Sequence, residues 1–471
     1  MRKTKIVCTL GPATDSKKTL MRLMKAGMSV ARINMSHANH VEHKERIDTV
    51  KELRQEFNAP VAIMLDSKGP EVRVKKFTGG RVVLEKGQKF SLVSEDILGD
   101  DKKVSITYKE LYRSVKAGDT ILINDGFIEV EVEKVSQAEI VTKVIHGGEI
   151  SNNKSINLPN IDIDMPYMSD TDKKDFLFGV KEGVDYIALS FVRCKEDVKL
   201  VKDLLVKNGG DDIRLIAKIE NQQGVNNLAS ILEVADGVMV ARGDMGVEIA
   251  FDRLPAIQKA MIADSIKKGK IVITATQMLE SMIYSPRPTR AEVSDVANAI
   301  YDGTSATMLS GETAMGKFCV ETVKTMAKIA VSAENNIDYR GAFTNCGANI
   351  QTITDAVSHS AVSASFDLKA KAIVVVSKSG YTARQISRFR PSCPIVSVTV
   401  SPKAYQQLAM NWGVMPVLAT EKSNSDELFS YAIEKAKATG IVKNGDLIVI
   451  AAGVPVGVTG TTNTMKIEYI K

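Results

Sequence analysis

Aromatic side chains are scarce in this chain: 5% of its 471 residues, with a single tryptophan. A platform of rings for stacking nucleic-acid bases is therefore not expected. Cysteine is scarce as well. The five present (Cys8, Cys194, Cys319, Cys346 and Cys393) are scattered, odd in number and form no CxxC pair. That usage points to reduced thiols in a cytoplasmic protein, not to a disulfide frame. Long apolar runs are missing too. The longest, residues 447–458, contains Gly453, Pro455 and Gly457 and is too short to cross a bilayer. The amino terminus carries charge but no apolar core of a signal peptide. No strong charge excess is present either: the net charge is +6, a mild basic balance that suits small anionic ligands better than nucleic acid or a membrane surface.

What the chain does have is a repeating unit: a short apolar strand, a polar ending, then a helix. Strands are expected at 5–9, 29–33 and 61–65, with a helix at 17–26 stopped by Gly27. The pattern breaks from residue 70 to about 166, where short alternating strands and Gly-rich turns predict a small β-barrel or sandwich inserted as a separate unit. It resumes with a helix capped by Ser169 and strands at 185–191, 215–217, 237–241, 270–275 and 306–309. Eight strands alternating with helices predict a (β/α)₈ barrel. An open doubly wound sheet is the rival, but polar residues follow at least six strand ends, which favours the barrel. From about 341, helices and strands alternate again (strands 372–376, 395–400, 415–418, 447–451 and 466–469, with a helix capped by Ser425 and stopped by Gly440 before the fourth of them), as in a compact α/β unit on a largely parallel sheet. The expected division is 1–69 with 167–340, then 70–166, then 341–471.

The organising stretch is residues 214–246. One strand runs into Lys218-Ile219-Glu220-Asn221, a helix is expected at 225–235, and the next strand ends in Arg242-Gly243-Asp244-Met245-Gly246. Residues two apart on a strand share a face, so Lys218 and Glu220 point the same way. A βαβ crossover makes the two strands parallel, bringing both polar ends to one sheet edge. One ammonium and two carboxylates then converge, and two hard oxygen ligands suit Mg²⁺ better than zinc. A surface salt bridge among solvated loop charges is the alternative reading.

Other motifs are weaker. His37, His40 and His43 are spaced by three, but zinc would need them to face one point with a further ligand, so a polar helix surface is the simpler reading. The run from Gly311 to Phe318 approaches a phosphate-binding P-loop but has Phe318 where a hydroxyl must bind Mg²⁺. Arg32, Asn34 and Ser36 alternate on one face beside Asp66 and the Ser67 carbonyl. That is an oxygen-rich pocket with little net charge, suited to a large monovalent cation or to a plain hydrogen-bond cluster. At 377–382, Ser377-Lys378-Ser379-Gly380-Tyr381-Thr382 precedes a helix expected from Ala383, either a phosphate cradle or an ordinary capped turn.

Taken together, ARINMSH (31–37), MLDSKGPEVR (64–73), NKSINLP (153–159), KIEN (218–221), ARGDMGVE (241–248), TATQMLESM (274–282) and the long run at 285–314 resemble the pyruvate kinase family over essentially the whole chain. The resemblance implies a (β/α)₈ TIM barrel, a β-rich lid and a carboxyl-terminal α/β regulatory domain. It also implies phosphoryl transfer from phosphoenolpyruvate to ADP, giving pyruvate and ATP, with Mg²⁺ (or Mn²⁺) and K⁺. By the same resemblance Lys218 stabilises the transferred group and the enolate oxygen, Arg32 binds phosphate, and Glu220 and Asp244 hold Mg²⁺. Gly243 and Asp244 offer amides to the substrate carboxylate, and Thr276 serves protonation of the enolate. Asn34, Ser36, Asp66 and Ser67 match the K⁺ site, where the family commonly has threonine in place of Ser67. Asn34, His37, Arg73 and Lys154 lie at the nucleotide. The loop 377–382 matches a site for a phosphorylated effector, and a homotetramer is implied. The facing loop, 453–464, has no Arg, Lys or Trp, which favours a sugar or nucleotide monophosphate over a bisphosphate. A Mg²⁺-dependent carbon–carbon lyase and an inactive metabolite sensor are the other classes open to this scaffold. The insert and the monovalent-cation pocket speak against the lyase, and the complete set of candidate residues against the sensor.

Overall fold

The computed structural model describes residues 1–345, 350–422, 424–454 and 462–471. Eight parallel strands close into a barrel: Lys5–Thr9, Val30–Asn34, Ala62–Asp66, Tyr186–Leu189, Arg214–Ile219, Gly237–Ala241, Ile271–Ala275 and Ala306–Leu309. Each strand lies beside its successor in sequence, and the first pairs with both the second and the eighth. The strands are apolar on both faces because both faces are covered. Val7, Met64, Tyr186, Ile216, Met239 and Ile273 fill the interior. Ile6, Ile33, Leu65, Ile187, Val238 and Val272 pack outward among the helices. A parallel barrel presents all its carboxyl ends on one rim.

Local signals explain most boundaries. Ser16 caps the helix Lys17–Ala26, whose chain reverses at Gly27 with φ of 120°. Ser169 and Asp172 form a capping box for Asp170–Lys181. Two local expectations need correction. The single helix expected at 225–235 is two, Gln222–Asn226 and Leu228–Val234. They part at Asn227, whose side-chain amide donates to the Arg193 carbonyl at 2.9 Å. The helix Ser425–Ala438 is capped by Asn424, which accepts from the Glu427 amide, and not by Ser425.

The insert leaves after the third barrel strand. Its main sheet has seven strands, starting at Val72–Arg73 and ending at Lys103–Ser105. Just beyond those two strands Val74 bridges Ile106, so the sheet curls round and closes on itself. The carboxyl-terminal unit has five strands in the order Val414–Leu418, Ile395–Thr399, Ala372–Val376, Leu447–Gly453 and Thr462–Tyr469, parallel except for the last pair. It stoppers the amino-terminal mouth of the barrel. Ala409 and Met410 join the interior cluster, Tyr186 donates to the Gln407 carbonyl at 2.7 Å, and Lys5 donates to the Val414 carbonyl at 2.6 Å. Among the described residues no helix is long and apolar enough to cross a membrane.

Candidate active site

At the carboxyl rim, the ends of the second, third, fourth and fifth strands converge on Lys218. Its ammonium donates to Ser190 Oγ at 2.6 Å and to Asp66 Oδ1 at 3.1 Å, and it lies 3.0 Å from Glu220 Oε1. Lys218 and Glu220 thus share a face, as their spacing predicts. Asp66 also takes the Arg32 guanidinium, 2.7 Å from Nε, and Arg32 is steadied by Thr9 Oγ1 at 2.9 Å. The cluster is buried: Lys218 is 9% exposed, Asp66 1% and Glu220 0%. This rules out the solvated surface bridge.

Burial magnifies every charge here. It works to raise the Asp66 carboxyl, but Arg32 and Lys218 outweigh it and hold that group below its ordinary range. It works to lower the Lys218 ammonium, but Asp66 and Glu220 outweigh it and raise that group. Glu220 differs. Burial pushes it up to about 7, Lys218 offsets only part, and nearby Asp244 adds repulsion. The Phe191 amide donates to Glu220 Oε2 at 2.6 Å. Oε1 contacts Lys218 as an ion pair without hydrogen-bond alignment and is left without a hydrogen-bond partner. Asp244 is half-buried. A buried orphan oxygen beside a second carboxylate is the donor set of a hard divalent cation, so the residues fit Mg²⁺ or Mn²⁺.

Asp244 lies in the short helix Arg242–Glu248 after the sixth strand. The Gly243 amide there donates to Thr276 Oγ1 at 2.8 Å, and Thr276 Oγ1 donates to the Ala275 carbonyl at 2.6 Å. Thr276 and Gln277 have φ of 66° and 52°, costly for a β-branched residue. Arg242 secures this bend by donating to the carbonyls of Ala275, Thr276 and Gln277, while pairing with Asp295 at 2.7 Å.

The four residues expected around a monovalent cation lie at the ends of the second and third strands and in the turn after the second. Asn34 lies opposite Asp66 in the strand register, and Ser67 follows. Ser36 lies exposed in the next turn, its amide donating to Asn34 Oδ1 at 3.1 Å. The Ser67 carbonyl accepts from Ser190 Oγ at 2.6 Å. Both Asn34 Oδ1 and that carbonyl keep a second lone pair, so the oxygens fit a weakly held cation. His37 is exposed beside this turn. Of the other two histidines, His40 bonds Asp175 at 2.6 Å and stacks on Phe178, while His43 is buried. Arg73 and Lys154 sit together on the insert, Arg73 pairing with Ser155 in the sheet register and with Glu71 at 2.7 Å. Glu248 ties the insert to the barrel, accepting from Asn157 Nδ2 at 3.0 Å and the Leu158 amide at 3.2 Å.

The loop 377–382 lies far from this rim, on the carboxyl-terminal unit. Its helix begins at Tyr381, not Ala383, after Gly380 with φ of 73°. Lys378 is exposed. Ser379 offers its carbonyl to Arg384 at 3.0 Å, and Thr382 is buried with its hydroxyl on Thr462 at 2.5 Å. Most of the facing loop, residues 455–461, lies outside the described residues.

Sequence reasoning missed Ser190, Thr9 and Arg242. Ser190 falls inside the strand expected at 185–191, and only the observed end of that strand at Leu189 puts it on the rim. Arg242 was not findable, because its acceptors are carbonyls of a bend with no signature of its own.

The family model "Pyruvate kinase, barrel domain" matches residues 1–323, and "Pyruvate kinase, alpha/beta domain" matches 355–468. A pyruvate kinase of Clostridium acetobutylicum is 47% identical over 100% of both chains. One of Clostridium perfringens is 45% identical, again over 100% of both. One of Staphylococcus aureus is 47% identical over 100% of this chain and 81% of that one. The crystal structure of a pyruvate kinase from Cryptosporidium parvum superposes with a TM-score of 0.95 at 38% identity, covering 100% of this chain and 96% of that one.

Proposed function

The chain belongs to the pyruvate kinase family, and we infer that it transfers the phosphoryl group of phosphoenolpyruvate to ADP, giving pyruvate and ATP. The observation that carries this reading is the buried Arg32–Asp66–Lys218–Glu220 cluster at the barrel rim, with an orphan Glu220 oxygen beside Asp244. Three carboxylates face two cations there, and the substrates add further negative charge. The family's general need for a divalent and a monovalent cation follows from that imbalance.

Glu220 and Asp244 would hold the divalent cation, which would supply neutralisation of the substrates' negative charge. Arg32 holds the phosphoryl group, and Lys218 faces it from below, preorganised by Ser190 and Asp66. The bond from phosphorus to the enol oxygen breaks as an ADP β-phosphate oxygen bonds to phosphorus. Lys218 stabilises the enolate oxygen left behind. Carbon protonation then gives pyruvate, with Thr276, fixed by the Gly243 amide and the Arg242-held bend, lining that side. The Asp244 amide orients the substrate carboxylate, joined by the Gly243 amide when it exchanges Thr276 Oγ1 for substrate. Arg73 and Lys154 meet ADP from the insert, with Asn34 and His37 below. Asn34, Ser36, Asp66 and Ser67 would hold K⁺. The insert acts as a lid that excludes water, so phosphate reaches ADP and is not hydrolysed.

Residues 1–69 with 167–340 form the catalytic unit, 70–166 the lid, and 341–471 a regulatory unit. A phosphorylated metabolite binds this last unit through Ser377, Lys378, Ser379, Gly380, Tyr381 and Thr382. The chain works in the cytoplasm as a homotetramer. A coupled assay for ATP from phosphoenolpyruvate and ADP, with each cation omitted in turn, tests the activity. No ATP with both cations present overturns it. Cleavage of a carbon–carbon bond in place of phosphoryl transfer would favour a lyase.

A further inference from the structure

At the end of the barrel opposite the site, a cavity of about 140 Å³ lies between strand beginnings and the helix Tyr381–Ser387. Four cationic residues line it (Arg214, Lys268, Lys270 and Arg384) with Tyr381 and one carboxylate, Asp236. Asp236 is spent on Arg214, at 2.7 Å. Among the described residues the other three cations reach only backbone oxygens: Lys268 on Ala229 at 2.7 Å, Lys270 on Ala235 at 2.6 Å and Arg384 on Ser379 at 3.0 Å. A single lysine on the carbonyl just past the helix Leu228–Val234 is ordinary favourable placement. Four cations against one carboxylate in one cavity are not, because like charges drawn from water repel. Burial and the neighbouring Arg214 push the Arg384 guanidinium down to about 9. Burial lowers the Lys270 ammonium, with Asp236 opposing the shift and Lys202 and Lys268 adding to it. The packing is close. Gly269, between the two lysines, has φ of 67°, and a Cβ there would lie 3.3 Å from Gln385 Oε1.

We propose that this cavity binds a tetrahedral phosphate dianion, either inorganic phosphate or the phosphoryl end of a small phosphomonoester. A cavity of that volume admits several waters, and so has room for a phosphoryl group. The remainder of an ester would leave past exposed Lys268. The anion would sit under three strands at once. Arg214 begins the strand that carries Lys218 and leads to Glu220, Asp236 precedes the strand that leads to Gly243 and Asp244, and Lys270 precedes the strand that leads to Thr276. Arg384, on the fourth side, holds the carbonyl of Ser379. The site borders the loop 377–382 through Tyr381 and the Ser379 carbonyl but draws its lysines and Arg214 from the barrel, and its occupancy is measurable without turnover.

Crystals grown with selenate, a tetrahedral dianion located by its anomalous signal, should show a peak within hydrogen-bond reach of Lys270 Nζ and the Arg384 guanidinium. No peak there overturns the proposal. In solution, the unfolding midpoint is followed without substrates or divalent ions, replacing chloride by inorganic phosphate or by glycerol 3-phosphate at constant ionic strength. The parent should show a saturable rise, and Lys268→Met/Lys270→Met should bind phosphate about tenfold or more weaker, the loss expected for a charge-assisted hydrogen bond. Anion binding at the catalytic rim is common to both proteins and cancels in the comparison. Equal responses of parent and variant overturn the proposal. A response to phosphate alone identifies the free ion, and a response to both identifies the phosphoryl group. If the double variant fails to fold, Lys268→Gln and Lys270→Gln singly carry the same comparison.

Discussion

Replacing Lys218 by methionine keeps the length of the side chain and removes its charge. The ammonium makes three contacts, with Ser190 at 2.6 Å, Asp66 at 3.1 Å and Glu220 at 3.0 Å. Losing one preorganised donor aimed at developing charge costs about 10²–10³ in kcat, or about 2.7–4 kcal/mol of barrier. The loss should fall on kcat and less on KM, because the ammonium matters most once the enolate forms. Stability should suffer less than the roughly 3–5 kcal/mol expected when a buried charge is stranded. Asp66 keeps Arg32 at 2.7 Å, Glu220 keeps the Phe191 amide at 2.6 Å, and Glu220, already raised to about 7, is ready to take up a proton. A loss of about 1–2 kcal/mol in denaturant unfolding is the expected outcome, near that of a hydrogen bond. Divalent-ion binding should be retained or tightened, since a competing positive charge has left. The assay couples pyruvate formation to a dye or cofactor signal across a magnesium titration. A variant within a few-fold of the parent would move the chemistry elsewhere, and loss of metal binding would mean that Lys218 shapes the metal site.

The remaining outcomes follow from neighbouring contacts. Glu220 is raised in the folded chain from 4.5 to about 7, so its contribution to metal-free stability is in place below pH ~4.5 and is lost as pH rises through ~7. Metal-free parent should therefore lose more stability between about pH 4.5 and 7 than Glu220→Gln, and Mg²⁺ should reverse the loss; equal slopes would contradict this. Glu71 pairs with Arg73 at 2.7 Å, and Glu71→Lys should relax a K⁺ requirement by placing an ammonium near the pocket, unless the parent is already fully active without K⁺. Arg242→Met frees three carbonyls and the positive-φ bend at Thr276 and Gln277, and should lower kcat by about tenfold or more, a misplacement effect, while divalent binding holds; unchanged kcat would refute the clamp. Ser379→Glu should abolish activation by phosphorylated metabolites at subsaturating phosphoenolpyruvate, and a variant that responds like the parent would reduce the loop to a turn.

The strands were legible because each is a short apolar run closed by a polar residue. Lys5–Thr9, Gly237–Ala241, Ala306–Leu309 and Ala372–Val376 fall where the pattern puts them. Closure of the barrel was legible more indirectly, from the number of strand ends carrying polar residues. Caps were less so. Asn424 and Ser425 are both good caps by type, and only the backbone path decides which one faces the free amides. The break at Asn227 depends on a carbonyl 34 residues away in sequence, which no local pattern records.

The sequence by itself determined the periodicities, the parallel order and hence the gathering of Arg32, Asp66, Lys218, Glu220 and Asp244 at one rim, because strand parity and crossover geometry are local rules. Which atoms meet there was decided only by the tertiary structure. Ser190 under the ammonium, the unaligned Glu220 oxygen and the Arg242 grip on a strained bend depend on distances of tenths of an ångström between strands remote in sequence. The basic cavity is the extreme case. Residues 214, 236, 268–270 and 381–385 carry no shared motif, and become one site only when the carboxyl-terminal unit seals the barrel mouth.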